Sequence, residues 1–513
     1  MKELMNYVIC SGLEIPIDQD IIPKVMDTIP DSCFGVFVTA RRTHEFYESY
    51  NRKIKHHGCQ GYWDINFLEL SKDEILSKIQ TASINTTSND NRKNRFKKEI
   101  QQDIRANYEI NFMIGSPTII DVKTGRLETG EIFNNADYGV LFIGDENKRA
   151  TFLPRVWINK CWAELKTKLR TKAGSETEGK FYAYKTISYK DGISSILDQS
   201  YLKFLTQGFI KYIEENYQDV VPYQRNSENI TTTNINKSVR NLLTTHVILR
   251  SQHNITQKTA DKIKSDLEYY YQLFDLNNKS MRYAGSVLAM SLKGIGAGGV
   301  DDICAYLYDH VDENWSVLER KFELGKTMLS LSECCPRMNS LLSVEQKMYK
   351  QIGSESGNNK ADIFQCNWHA QYLHSLNTNH NEMCADHAKL LLNKTINIID
   401  NFGKDPELNY VVVALETLAS LYSLMSYETD KIKLLNYLLY VFCAANKKHY
   451  KDGLYCFKNG DARIDLTTHA INSYTTMTEN MNIPYDLIGS GSYLKVKLQL
   501  TKPGHYCSGR KIP

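Results

Sequence analysis

The stretch DPELNYVVVALETLASLY, residues 405–422, decides how the second half of this chain folds. Its apolar residues recur at the 3.6-residue spacing of one helix face: Leu408, Val411, Val412, Leu415, Leu418, Ala419 and Tyr422. Asp405 can accept hydrogen bonds from free backbone N–H groups, and Pro406 suits the first helical position because it lacks an N–H. The stretch therefore predicts a helix, with Glu416 at its solvent edge. The alternative is that Glu416 belongs to a buried functional pair.

Similar stripes lie on both sides of this helix. One runs from Ala388 to Phe402 and ends at Gly403, a residue suited to a left-handed C-cap. Others cover residues 432–442 and 464–481. The loops between them are short, so neighbouring helices must pack antiparallel. We predict an all-α domain over residues 196–513, with about ten to twelve helices.

The first part of the chain has a different pattern. Five short runs are rich in β-branched and aromatic residues: 35–39, 109–114, 138–143, 151–153 and 181–187. A turn over 144–148 joins two of them as a hairpin, helices are predicted over 71–81 and 156–169, and the polar stretch 83–94 is predicted as an exposed loop. Residues 1–195 are therefore predicted to form an α+β domain.

Composition limits the classes of function. The 513 residues carry a formal net charge of +3, which predicts no strong field for nucleic acid. The start of the chain lacks the order of a secretory signal, and no stretch is long and apolar enough for membrane insertion. Twelve scattered cysteines are expected to be reduced thiols in a cytoplasmic protein. No cofactor, metal or oligomeric state is implied.

A small motif near the end of the chain carries one resemblance. Asp452-Gly-Leu-Tyr-Cys456 leads into Asp465-Leu-Thr-Thr-His-Ala470, a glycine-aromatic loop feeding a helix. This resembles the α/α-toroid proteins, which include terpene cyclases and prenyltransferase β subunits, although an α-solenoid would give similar periodicity. In such toroids the residues at helix N-termini line a central cavity. Asp465 and His469, four residues apart on one face, are therefore predicted to bind substrate, and the alternative is that Asp461 or Asp465 is an N-cap.

Several ordered blocks carry a second resemblance. They are Val36-Phe-Val-Thr39, His57-Gly-Cys-Gln-Gly61, Asn94-Arg-Phe96, residues 109–117, Gly139-Val140 and residues 150–156. Over residues 30–195 the chain resembles the AMMECR-one domain family, an α+β domain suspected of enzymatic activity. The family's Leu-Arg before Gly-Cys is His56-His57 here, and its next Ile is Gln60. The loss of this arginine removes a bidentate anion donor.

Cys59 is the first candidate catalytic residue. It lies between Gly58 and Gly61, and glycine allows a positive φ or the close approach of a ligand. His57 is predicted to lower the pKa of the thiol or act as base, and Arg95 to supply positive potential. The alternative is a small buried cysteine in a tight turn. Arg155 is predicted to face the same cleft and bind substrate, the alternative being that residues 153–156 only link a strand to a helix.

Two further motifs are less specific. Residues 294–299 match the dinucleotide fingerprint, but a helix precedes them, so they are predicted to end one helix before Asp301 and Asp302 cap the next. A set of potential metal ligands fits no zinc-module spacing, so polar loops and helix faces are the favoured interpretation. Its members are Cys366, His369, His374, His380, Cys384 and His387.

Two hypotheses of function follow. In the first, the chain is an enzyme or enzyme component of unknown reaction, with a Cys59-centred cleft and a helical toroid that helps bind substrate or a partner. In the second, it is a non-catalytic scaffold for a protein or peptide partner, with a degenerate AMMECR-like domain. The altered signature favours the scaffold, and the retained Gly-Cys-x-Gly core favours the enzyme.

Overall fold

The computed structural model describes most of the chain, with gaps between its segments. The described residues are 1–42, 58–88, 106–158, 160–217, 221–232, 238–251, 255–276, 282–311, 321–335, 359–376, 381–403 and 406–480. They divide into a mixed region of strands and helices followed by a region that is almost wholly helical, as expected from the sequence.

Six antiparallel strands form the sheet of the first region. They are β1 (Cys33–Arg42), β2 (Gly58–Trp63), β3 (Ala106–Ile120), β4 (Gly139–Ile143), β5 (Arg149–Phe152) and β6 (Lys180–Gly192), in the order β2-β1-β3-β6-β4-β5. Each of the five predicted strands is present, and the predicted turn joins β4 to β5 as an antiparallel hairpin. The guanidinium of Arg149 on β5 lies 5.3 Å from the Trp63 ring on β2, so the sheet curls until its two edges approach.

The two faces of this sheet have different surroundings. Val36, Val38 and Ala40 of β1 are fully buried on the face that packs against α1 (Lys2–Leu13) and α3 (Lys72–Ser88). An aromatic cluster fills the concave face and includes Phe34, Trp63 and Tyr184. Two further helices, α2 (Ile22–Thr28) and α4 (Trp162–Ala173), lie against α1 and against β4 and β5 respectively.

Two local predictions were wrong in extent. Residues 83–88 continue α3 and are not an exposed loop, and Ser83, Thr86 and Thr87 are buried. Their hydroxyls are satisfied there, because Ser83 donates to the carbonyl of Ile79 at 2.7 Å and Thr86 to that of Val38 at 2.9 Å. Residues 89–94 lie outside the described ranges. The helix predicted from residue 156 begins at Trp162, after a turn.

The second region contributes the remaining helices. They are α5 (Gln199–Asn216), α6 (Ser238–Arg250), α7 (Gln257–Gln272), α8 (Arg282–Gly294), α9 (Val300–His310), α10 (Lys321–Cys334), α11 (Asp362–Leu376), α12 (Asn381–Asp400), α13 (Leu408–Tyr422), α14 (Glu428–His449) and α15 (Ile464–Asn480). Short strands also occur at Gln224–Arg225, Thr231–Thr232, Tyr450–Lys451, Leu454–Tyr455 and Ala462–Arg463.

Six of these helices contact one another in a closed cycle. Helix α6 packs on α8, α8 on α10, α10 on α11, α11 on α13, α13 on α15, and α15 returns to α6. Small buried hydroxyls occur at the contacts: Ser286 on α8 bonds Thr327 on α10 at 3.0 Å, and Thr244 on α6 bonds Thr468 on α15 at 2.9 Å. We refer to these six as the ring helices. Helices α5, α7, α9, α12 and α14 pack against members of this set.

The predicted apolar stripe of α13 is confirmed, but the predicted solvent edge of this helix is wrong. Every predicted stripe residue of α13 is buried, and so is every other residue from Val411 to Tyr422. Glu416 is 1% exposed, so its assignment to a solvent edge was wrong. A helix that contacts neighbours all round has no solvent edge. The helix starts at Leu408 rather than at Pro406, and Asp405 lies outside the described ranges.

No described helix combines the length and apolar character needed to cross a bilayer.

Candidate functional site

A buried carboxylate on α13 organises the centre of the ring helices. His469 on α15 contacts Glu416 through Nδ1 at 2.7 Å. The side-chain amides of Asn472 on α15 and Asn367 on α11 donate to the same carboxylate at 2.5 and 2.6 Å. Three donors from two neighbouring helices therefore converge on one carboxylate in the protein interior.

Charge and hydrogen bonding decide the ionisation of Glu416. Burial alone would raise its pKa, since desolvation disfavours the charged form. The charge of His469 and the hydrogen bonds from His469, Asn472 and Asn367 outweigh burial, so the pKa of Glu416 lies below its ordinary value. Glu416 is consequently an anion at neutral pH, and it fixes the orientation of the imidazole.

Aromatic rings and one lysine complete this centre. The Trp368 ring on α11 lies 5.9 Å from the His469 ring and 6.1 Å from the Tyr283 ring. The ammonium of Lys326 on α10 lies 4.4 Å from the centroid of the Trp368 indole. Lys326 is 1% exposed, and burial lowers its pKa to about 8. We call Glu416, His469, Trp368, Lys326 and their amide partners the polar centre.

Asp465 lies one turn of α15 from His469 and makes different contacts. It is buried at the second position of the helix, where its carboxylate lies 3.4 Å from Nε of Arg240 and 3.3 Å from Nε of Arg463. Asp461 instead accepts the backbone N–H of Ser227 at 2.7 Å. The two carboxylates therefore hold neighbouring segments together, and Asp465 does not touch the Glu416–His469 pair.

A cavity lies between α5 and the C-terminal ends of α6 and α15. Its volume is about 560 Å³, and its lining includes Arg250, Thr475 and Glu479. Arg250 donates to the side-chain oxygen of Asn472 at 2.9 Å and pairs with Glu479 at 2.6 Å. Because Asn472 in turn donates to Glu416, one hydrogen-bonded chain connects the wall of the cavity to the polar centre.

Cys59 lies on β2, at one edge of the curled sheet. The strand register places it beside Thr39, Thr39 beside Glu109, and Glu109 beside Lys190, so these side chains share one face. The Thr39 hydroxyl donates to the Cys59 sulfur at 3.1 Å, and Glu109 pairs with Arg41 at 3.1 Å. Burial lowers the pKa of Lys190 in this row, and the charge of Glu109 opposes that shift. Cys59 is half-buried rather than sealed.

The other predicted residues of the first domain are placed as follows. His57 and Arg95 lie outside the described residues. Arg155 is exposed in the turn after β5, with φ +66° and its N–H donating to the carbonyl of Asn135 at 2.6 Å. Neither Gly58 nor Gly61 has a positive φ. Both glycines lie within a strand, where close packing excludes a side chain: a Cβ on Gly58 would lie 2.4 Å from the Thr86 carbonyl oxygen.

The glycine-rich motif and the set of potential metal ligands both lie in or beside helices of the second region. Residues 294–299 end α8 and precede α9, as predicted, although Gly299 is the N-cap and Asp301 and Asp302 lie in the first turn. Cys366 and His369 are buried in α11 and Cys384 in α12, while His380 lies outside the described ranges. Across the described residues, no three His, Cys, Asp or Glu side chains are grouped so that they could hold a metal ion.

The sequence predicted His469 as a site residue, but it gave a buried pair only as the alternative for Glu416 and did not indicate the amide partners or the lysine. Glu416 carries the one formal charge in the stretch from Leu408 to Tyr422, and this was the available signal. Asn367, Asn472 and Lys326 carry no comparable signal, because polar residues are frequent on helices and only the packing brings these three together.

No family model and no curated protein sequence matches the chain. A crystal structure of the uncharacterized protein PH0010 from Pyrococcus horikoshii is similar to part of it, at 16% identity, over 37% of this chain and 92% of that one, with a TM-score of 0.25.

Proposed function

We propose that this chain is an enzyme whose helical region is an α/α toroid, and that its polar centre binds and converts a small molecule. The closed cycle of ring helices supports the toroid, since alternating inner and outer helices would produce those contacts. The hydrogen-bonded Glu416–His469 pair is the observation that carries the proposed activity.

The pair has the arrangement of a general acid/base. Because Nδ1 of His469 faces the carboxylate, Nδ1 keeps its proton in either charge state of the imidazole, and Nε2 is the nitrogen that would exchange a proton with a ligand. Within the described ranges no protein group is hydrogen-bonded to Nε2, and in this proposal the ligand binds there. Glu416 would stabilise the imidazolium that forms when Nε2 takes a proton.

We further propose that residues 30–195 are an AMMECR-like domain of a cytoplasmic protein. The adjacency of two signature blocks supports this, because the Val-Thr strand and the Gly-Cys-Gln-Gly strand pair antiparallel with Thr39 opposite Cys59. In this proposal the toroid performs the reaction and the first domain presents a thiol or binds a partner.

Untargeted metabolite profiling tests the proposed activity. Purified protein is incubated with a small-molecule cell extract, and the compounds consumed are followed by mass spectrometry. We expect the wild type to consume specific compounds and Glu416→Gln and His469→Asn to consume them at least about 100-fold more slowly, since general acid/base catalysis contributes that much or more. Glu407→Gln, an exposed position next to the same helix, is the matched control and should match the wild type.

The outcomes are separable. Equal turnover by Glu416→Gln and the wild type would remove the pair from the mechanism. Consumption of nothing by the wild type would contradict the enzyme proposal and favour the protein-interaction scaffold.

A second candidate function rests on Cys59. Its half-buried sulfur accepts a hydrogen bond from Thr39, and such a bond stabilises a thiolate. If Cys59 is a nucleophile, iodoacetamide at neutral pH should alkylate it faster than the exposed Cys161, and Thr39→Val should slow it severalfold. Peptide mapping reads both rates in one sample. A rate for Cys59 below that of Cys161 in the wild type would count against this role.

A further inference from the structure

Three cysteine thiols lie together where the C-terminal end of α10 packs against α9. Cys334 is the last residue of α10 and Cys335 follows it, with its backbone N–H donating to the carbonyl of Leu331 at 2.9 Å. Cys304, on α9, is hydrogen-bonded to the side chains of both cysteines. The three are not grouped so that they could hold a metal ion, so the arrangement suits the joining of two sulfurs at a time.

The thiols of this cluster differ in exposure. Cys304 is 6% exposed, whereas Cys334 and Cys335 are both half-buried. A dissolved reagent would therefore meet Cys334 or Cys335 first. Cys304 would then react with a neighbouring sulfur that the reagent has already modified.

The surroundings favour a thiolate at the two more accessible positions. Cys304 donates a hydrogen bond that lowers the pKa of Cys334 and of Cys335, and the charge of Lys293 acts in the same direction. The Lys293 ammonium is held at this end of α10 by a hydrogen bond to the carbonyl of Glu333. Burial and nearby carboxylates oppose the shift without reversing it. The thiolate is the form of cysteine that attacks a disulfide.

We propose that this cluster is a reversible redox site, at which a low-molecular-weight disulfide oxidises Cys304 and one of its two partners to an intramolecular disulfide. The thiolate of Cys334 or Cys335 attacks one sulfur of the reagent, whose S–S bond breaks as a mixed disulfide forms and a thiolate leaves. Cys304 gives up its proton, and its sulfur attacks the protein sulfur of the mixed disulfide and releases the second half of the reagent. Two protein thiols are thereby oxidised, and the reagent is reduced to two thiols that carry the protons.

This inference does not rest on the proposed function. The disulfide would tie the last turn of α10 to α9. Lys326 of the polar centre lies eight residues before Cys334, about two helical turns away, so the redox site would constrain a ring helix that contributes to the centre.

Oxidation of the reduced full chain with oxidised glutathione tests the inference. The folded protein is incubated at about pH 7.5, the remaining thiols are alkylated, and the chain is digested without reductant. Trypsin leaves Cys304 in the peptide 294–320 and its two partners in the peptide 327–337. We expect the disulfide between these two peptides to be at least about tenfold more abundant than any other cross-link, and to disappear when dithiothreitol is added.

The same sample contains two controls. Burial and the charge of the neighbouring Cys10 raise the pKa of Cys443, but both thiols are only 2% exposed, so these two should not be joined. The exposed Cys161 should acquire glutathione without forming a cross-link. A Cys304 that stays a free thiol while a partner carries glutathione would overturn the inference, and so would a link between the two partners themselves.

Serine variants assign the partners. Cys304→Ser and the double variant Cys334→Ser/Cys335→Ser should both lose the link. Each single partner variant should retain it, because the other sulfur is still hydrogen-bonded to Cys304. Loss of the link in either single variant would overturn the assignment of two partners. The wild type is also oxidised in concentrated urea, and a link that is equally selective in the unfolded chain would contradict a site made by the fold.

Discussion

The structure places Glu416 in the protein interior, whereas the sequence favoured a position at the solvent edge of its helix. In the sequence it is a lone charge on an apolar helix, for which an exposed edge is the ordinary explanation. In the fold it is 1% exposed and accepts three hydrogen bonds from α11 and α15. Those partners are 49 to 56 positions away in the sequence, on either side of Glu416. Local periodicity therefore could not predict these contacts.

The Glu416–His469 pair is predicted to be strongly coupled in stability. Glu416→Leu leaves His469, Asn472 and Asn367 without their acceptor and should cost about 3–5 kcal/mol of unfolding free energy. Glu416→Leu/His469→Leu should cost at least about 1 kcal/mol less than the sum of the two single changes. Urea unfolding of the four proteins measures the coupling, and additive losses would contradict it.

His369 is predicted to make the protein less stable in mild acid. It is 1% exposed in α11, and burial lowers its pKa to about 4. The unfolded chain therefore binds more protons than the folded one between about pH 6.5 and 4, so stability is complete above this window and is lost as the pH falls through it. From pH 7 to 5 the wild type should lose about 2 kcal/mol more unfolding free energy than His369→Gln. Urea unfolding of both proteins at pH 7 and pH 5 measures this difference. Equal losses of unfolding free energy in the two proteins would contradict the lowered pKa of His369.

At the scale of elements, the identity of strands and helices was predictable and their ends were less so. Strand β3 runs from Ala106 to Ile120, well beyond the predicted residues 109–114, because pairing with β1 and β6 extends it through polar positions. Helix α3 likewise continues through Ser83 and Thr87, whose hydroxyls bond to backbone carbonyls one turn earlier. Composition suggested a loop over residues 83–94, and tertiary packing overrode that prediction for residues 83–88.

The glycines of β2 are predicted to matter for packing rather than for conformational freedom. A Cβ on Gly58 would lie 2.4 Å from the Thr86 carbonyl oxygen, and one on Gly61 would lie 2.4 Å from the Val36 carbonyl oxygen. Gly58→Ala and Gly61→Ala should each cost about 1–3 kcal/mol, since backbone atoms must shift. Gly298→Ala, with no atom within 4 Å of the added Cβ, is the control. Thermal unfolding measures all three, and a neutral Gly58→Ala would contradict the close approach.

At the scale of the whole molecule, one continuous core crosses the predicted boundary near residue 195. Buried side chains of α1, β1 and β3 belong to the same apolar cluster as those of the ring helices. The Tyr201 hydroxyl on α5 donates to the Pro16 carbonyl at 2.6 Å, and Lys447 on α14 pairs with Glu14 at 2.5 Å. The division into residues 1–195 and 196–513 stays a prediction, and this shared core bears on how the two parts would behave when separated.

The fragments 1–195 and 196–513 are each predicted to be unstable without the other. Residues 1–195 alone would expose α1 side chains such as Leu4 and Val8, which are fully buried in the whole chain. We expect each fragment alone to be markedly less stable than the full chain, and the two co-expressed fragments to co-purify on a tag placed on one of them. Independent, fully cooperative unfolding of both fragments at the temperature of the full chain would contradict this.

The sequence pattern therefore predicted the class of the fold, but it did not predict which helices and side chains contact one another. Periods of 2 and 3.6 are local properties, and they located the strands and helices. The polar centre depends on contacts such as Arg250 to Asn472, which are 222 residues apart. Such contacts are set by helix order and packing, and no single stretch of the chain encodes them.

Helix α15 closes the cycle of ring helices through the hydrogen bond between Thr468 and Thr244, and it is the last of the six to be synthesised. A ribosome that has just released α13 has made Glu416, but neither His469 nor Asn472 has yet been translated. Of the three donors to this carboxylate, Asn367 alone has been made by then, and the other two are added with α15. A premature stop codon shortly before residue 464 would thus yield a polypeptide with most of its mass and no means of assembling the buried pair.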